Sequence, residues 1–167
     1  VTLIVNHGQQ GINDVALDPE GNIYVTGYSK SSTSGPQDYL TVKYNAAGVQ
    51  QWTAKYNRQG NRNNTAVAVA VDGIGNVYVT GYAEESGRND DYITTKFSPT
   101  GDILWRASFN GPANQEDQAK ALALDASGNV IVTGSSKGSG SNYDITTVKY
   151  TPDGTLLWVA RHNGSAN

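Results

Sequence analysis

At 167 residues the chain is long enough to bury one core of ordinary domain size. A net charge of −3 and a pI near 5.2 leave it without the basic surface that nucleic acid or an anionic membrane selects. It has no cysteine, which excludes disulfides and thiol chemistry, and no apolar run near the roughly 18 residues that a membrane helix needs.

Taken in chain order, residues 1–6 (VTLIVN) read as the tail of a strand from a preceding unit, because Asn6 aligns with Asn57. A short apolar alternation, DVALD (14–18), then leads through the turn PEGN into IYVTGYS (23–29), which is the pattern of a β-hairpin. After the polar loop 30–37 comes DYLTVKY (38–44), rich in β-branched and aromatic residues. The turn NAAG (45–48) and the segment VQQWTAKYN (49–57) close a second hairpin.

The whole series then recurs. AVAVD, VYVTGYA, DYITTKF and DILWRASFN follow between 68 and 110, and ALALD, VIVTGSS, DITTVKY and TLLWVARHN between 121 and 163. Trp52, Trp105 and Trp158 are spaced by 53, as are Gly48, Gly101 and Gly154. Four antiparallel strands per unit, repeated without helical periodicity, predict an all-β fold of β-propeller blades, three of them in this chain. The expected organisation is one partial propeller domain over 1–167, with units at about 7–57, 58–110 and 111–163 and a remnant strand at 1–6. GPAN (111–114) returns as GSAN (164–167), so the reading expects a piece of a longer array, its missing blades supplied by self-association or by further repeats.

The repeated polar residues read as fold grammar rather than chemistry. In each D-x-x-G-N turn, Asp18, Asp72 or Asp125 is placed to accept the turn's own amides, and the glycine to take a positive φ. One carboxylate per turn falls short of the array that calcium requires. The V-T-G trio (Gly27, Gly81, Gly134) is read as ending the second strand and letting a neighbouring unit approach. Asp38, Asp91 and Asp144 open the third strand, with Lys43, Lys96 and Lys149 on the opposite face, and they read as bonding across blades or to loop backbone. A ring of these carboxylates about the propeller axis is the alternative. The tryptophans read as packing residues, with sugar stacking as the alternative.

The best local set of oxygen ligands is Glu84, Glu85, Asp90 and Asp91, in the loop between second and third strands. It reads as a solvated acidic loop, with a calcium site as the weaker alternative. The two histidines stand near opposite ends, and His162 replaces the aromatic found at Tyr56 and Phe109. No catalytic residue and no cofactor is expected.

The phrases A-L-D-x-x-G-N-[IV]-x-V-T-G, D-Y-[LI]-T-x-K-Y and G-x-x-x-W-x-A-x-x-N together resemble the bacterial SBBP-type β-propeller repeat, over about residues 12 to 163. The third unit departs from it with Ile131 and Ile145 where its siblings have tyrosine. The resemblance implies a non-enzymatic scaffold or interaction module of an exported or cell-surface bacterial protein, with a protein or glycan ligand. An extracellular hydrolase or lyase acting on polysaccharide, with carboxylates near the axis, is the second reading.

Overall fold

The computed structural model describes residues 9–56, 63–84, 89–138 and 142–163. These form twelve strands and, among the described residues, no helix. The first sheet contains β1 (Gln10–Leu17), β2 (Ile23–Lys30), β3 (Gln37–Tyr44) and β4 (Gln50–Tyr56). The second contains β5 (Asn64–Val71), β6 (Val77–Glu84), β7 (Asp90–Phe97) and β8 (Ile103–Phe109). The third contains β9 (Asp117–Leu124), β10 (Val130–Lys137), β11 (Tyr143–Tyr150) and β12 (Leu156–His162). Every sheet is antiparallel, with its strands in chain order. The expected four strands per unit are therefore observed in all three. Residues 1–6, expected to be a remnant strand, lie outside the described residues.

The sheets pack face to face in succession, with β5 lying against β1, β2 and β3, and β9 against β5, β6 and β7. The innermost strands β1, β5 and β9 thus adjoin in series. Two cores fill the spaces between sheets. Tyr24, Tyr39 and Trp52 from the first sheet meet Val69, Val77, Val79, Ile93 and Phe97 from the second. Tyr78, Tyr92 and Trp105 from the second meet Val130, Val132, Val148 and Tyr150 from the third. Successive side chains on a strand point to opposite faces, so Tyr78 serves one core while Val77 and Val79 serve the other. The middle sheet is covered on both faces, and its β6 and β7 are buried almost throughout.

The V-T-G segment differs from its sequence reading. It does not end the second strand: β2, β6 and β10 each continue three residues beyond the glycine. Gly27, Gly81 and Gly134 lie mid-strand opposite a bulge, at which Asn13, Val67 and Lys120 are the extra residues on β1, β5 and β9. The bulge drives the neighbouring carbonyl onto the glycine. A Cβ at Gly81 would collide with the Thr65 carbonyl oxygen and stand 2.8 Å from the Tyr39 hydroxyl of the preceding sheet. Gly134 meets Gln118 and Tyr92 in the same way. The glycine is thus required twice over, by its own sheet and by the sheet beside it.

Gly81→Ala is expected to destabilise the fold by about 1–3 kcal/mol, the usual cost of overpacking a tight site. A urea midpoint unchanged from that of the parent chain would refute this account of the glycine.

Candidate functional site

Each unit presents one transverse row of side chains to the unit that follows. Antiparallel register aligns Ala16, Tyr24, Lys43 and Trp52 across β1 to β4. It likewise aligns Ala70, Tyr78, Lys96 and Trp105, and then Ala123, Ile131, Lys149 and Trp158. A second bulge, at Gln51, Leu104 and Leu157, sets each tryptophan directly opposite its lysine. Lysine and tryptophan therefore share a face and reach one target. Trp52 Nε1 donates to the Pro99 carbonyl at 3.0 Å, and Lys43 Nζ donates to the same oxygen at 3.3 Å. Trp105 and Lys96 both donate to the Pro152 carbonyl at 3.0 Å.

The ammonium also lies over the tyrosine of its row, 5.0 Å from the Tyr78 ring centre for Lys96 and 5.1 Å from that of Tyr24 for Lys43. The turn that carries the proline closes the seat with its glycine. A Cβ on Gly101 would lie 3.0 Å from the Trp52 ring, and one on Gly154 2.8 Å from the Trp105 ring. Both glycines have positive φ, 91° and 89°. The repeated tryptophan is thus a packing residue at both internal junctions, as the sequence suggested.

The D-x-x-G-N turn is a closed local network. Asp72 Oδ1 accepts from the amides of Ile74 and Asn76 at 3.1 and 2.9 Å. Its Oδ2 accepts from Asn76 Nδ2 at 2.8 Å and from the Tyr78 hydroxyl at 3.1 Å. Gly75 has φ 83°, which the turn needs. Burial by itself would raise the Asp72 carboxyl, but these four donors outweigh it and hold the group below its ordinary value. Asp18 repeats the arrangement with Asn22 and Tyr24. In the third unit Ile131 offers no hydroxyl, and Asp125 Oδ2 pairs instead with Lys149 Nζ at 2.8 Å.

The acidic candidates separate. Glu84 and Asp90 face each other in register, while Asp91 pairs with Ala83, is 4% exposed and, as the next residue along, turns to the other face. Asp90 Oδ2 accepts from Gln118 Nε2 of the third unit at 2.9 Å. Burial raises its carboxyl against that bond, and Glu116 adds to the rise. Glu85 lies outside the described residues. Among the described residues no group of three or more His, Cys, Asp or Glu is arranged to hold a metal ion.

The sheet order keeps Asp38, Asp91 and Asp144 away from the inner edge, where an axial ring of carboxylates would have to stand. These residues lie on β3, β7 and β11, two strands out from the inner edge, or about 10 Å. Asp144 is held there by Arg161, whose Nε and Nη2 both stand 2.8 Å from its Oδ2. His162 is exposed, and His7 lies outside the described residues.

Three contacts between units escaped the sequence reading. Asn13 Nδ2 donates to the Ala66 carbonyl at 2.7 Å, and Asp14 Oδ2 accepts the Val69 amide at 2.9 Å. Arg106 stacks on the Tyr56 ring at 4.0 Å. The first two residues have no periodic signal to find, since their counterparts are Val67 and Ala68, then Lys120 and Ala121.

Stacked four-stranded sheets joined through one recurring outer-strand contact define an all-β repeat protein built from propeller-type units. A family model described as SBBP, Beta-propeller repeat, matches residues 3–32. The match falls mostly within the first unit and agrees with the resemblance that the repeated phrases carry. No curated protein matches the chain.

Asp72→Asn removes one acceptor and turns amide hydrogens toward the Asn76 and Tyr78 donors, at an expected cost of about 1–3 kcal/mol at neutral pH. A carboxyl depressed on folding contributes fully above about pH 4 and loses that contribution as pH falls through its lower folded value. The gap between parent and variant should therefore narrow in acid. A gap in the urea midpoints that stays constant from pH 7 to pH 2 would contradict the network.

Proposed function

We propose that the chain is a non-enzymatic β-propeller scaffold, an interaction module whose two outer faces are completed by further four-stranded units. What supports this reading most is the fate of the repeated polar side chains. The turn aspartates are consumed by their own hairpins, and the lysines and tryptophans of the first two units by the next unit's turn. Such groups build contacts between units. The family match, a beta-propeller repeat, points the same way.

The outer faces give the reading its direction. Ile12, Val15 and Leu17 on the first sheet are 74%, 54% and 65% exposed, and Ile145 on the third is 59% exposed. The end units of a repeat array that stops in solvent carry polar outer faces. These are apolar, as faces awaiting a neighbour are. The abundance of Thr, Asn and Gly and the lack of Cys suit an exported or cell-surface bacterial protein, with exposed loops such as 31–36 available to a protein or glycan ligand.

Appending a second copy of residues 111–163 after Asn163 tests the central claim. With parent and extended chains diluted until each sediments as a single chain, the extended one should unfold at higher urea and its tryptophan emission should shift to the blue. An extended chain with the parent's midpoint would sink the reading. Release of reducing ends from a polysaccharide by the parent chain would sink its non-enzymatic part.

A further inference from the structure

We propose that the missing neighbour is a second copy of this chain, docked head to tail, with the turn 45–48 of one copy seated on Trp158 of the other. The inference rests on the propeller reading above and names the partner and the contact. Its basis is a seat that is filled twice within the chain and left half-built at each end.

The filled seat has four parts: an indole, a lysine, a proline-position carbonyl, and a positive-φ glycine lying on the indole. An aromatic at the end of the third strand flanks it, Phe97 for Trp52 and Tyr150 for Trp105, each with ring centres 6.2 Å apart. The third sheet holds the donor half. Trp158 and Lys149 are cross-strand partners as in the other two sheets, yet Trp158 is 44% exposed. The first sheet holds the acceptor half. Tyr44 stands at the Phe97 position and Ala46 at that of Pro99, and Gly48 has φ 76° with nothing within 4 Å of a Cβ built on it. The turn makes the same backbone bonds as the filled copies, Asn45 N to the Val49 carbonyl and Gly48 N to that of Asn45, so the Ala46 carbonyl faces where a Trp–Lys pair would arrive.

The rest of the two faces is complementary in the same sense. An open cavity of about 330 Å³ on the first sheet is lined by Ile12, Val25, Gly27, Leu40, Val42 and Tyr44. Their counterparts in the second sheet, Ala66, Val79, Gly81, Ile93, Thr95 and Phe97, are covered by the first sheet; apart from the glycine, which has no side chain, each is at most 6% exposed. The residue that covers this position internally is Tyr39 or Tyr92, and its counterpart on the third sheet is the exposed Ile145.

An isoleucine suits the apolar cavity and strands no acceptor. Tyr92 donates to the Thr146 carbonyl, which also accepts from Thr133 Oγ1, and the equivalent Leu40 carbonyl keeps the same kind of donor in Thr26 Oγ1 at 3.1 Å. Lys149 needs no release from Asp125, because an ammonium has three donors and Asp125 engages only one of them, which leaves a donor for the incoming carbonyl. Two copies joined by two such junctions supply six sheets, within the four to eight with which propellers typically close. A tail-to-tail pairing is excluded, since it would set two donor halves together.

Light scattering across a concentration series tests the proposal. The expected mass is twice the 17.7 kDa of the chain, with emission moving to the blue as Trp158 becomes seated. Trp158→Glu and Ile12→Lys alter exposed side chains on opposite end faces, so each should remain folded by circular dichroism yet sediment as a single chain. Mixed in equal amounts, the two variants retain one intact head and one intact tail and should restore the doubled mass. A parent chain that stays single overturns the second copy as occupant while leaving the appended-unit experiment to judge the propeller reading. A Trp158→Glu variant that still doubles, or a mixture that stays single, overturns the head-to-tail contact.

Discussion

Each sheet carries apolar side chains on both of its faces, so each unit gains stability from a neighbour on either side. The same phrase is half-exposed as IYVTGYSK in β2 and almost wholly buried as VYVTGYAE in β6. The larger change is that β6 has a sheet against each of its faces and β2 against one. The valines at one face and the tyrosine and lysine at the other are therefore two halves of one requirement. That requirement sets the mid-strand glycines, the bulged inner strands and the outer row of tryptophans alike.

Polar chemistry is distributed to serve that packing. The turn aspartate orients the tyrosine hydroxyl, the tyrosine ring supports the lysine, and the lysine with the tryptophan caps a carbonyl of the next turn. The order runs outward from a local turn to a contact between units. An indole N–H and a lysine on one carbonyl would be costly to bury without that acceptor, so the contact is selective as well as adhesive. A neighbour must offer the right turn at the right height, which a merely greasy surface would not.

Much of the fold was legible because it is repeated. The 53-residue interval exposed the units, and turn chemistry placed the hairpins, since Asp, Gly and Asn have few other reasons to recur together. The V-T-G phrase was misplaced at a strand end because a bulge adds a residue without breaking the run of strand-forming side chains; Val67 looks like any other strand valine. The tryptophan was read correctly as packing, yet its partner, a backbone carbonyl 47 residues further on, has no side-chain signature. Asn13 and Asp14 act between units but occur once, and what occurs once cannot be found by period. The acidic group at 84–91 looked concentrated in sequence, but the pleat turns Asp90 and Asp91 to opposite faces.

The chain-order pairing within each sheet has a kinetic side. Every strand bonds to the strand just before or after it, so a sheet is assembled from short loop closures and none of its hydrogen-bonded ladders awaits a distant segment. Each unit is thus able to begin forming while later ones are still being synthesised, and the two apolar cores act as the ratchet that retains it. In the head-to-tail assembly proposed above, the slow step is the meeting of the end faces, and the refolding rate should depend on chain concentration only there.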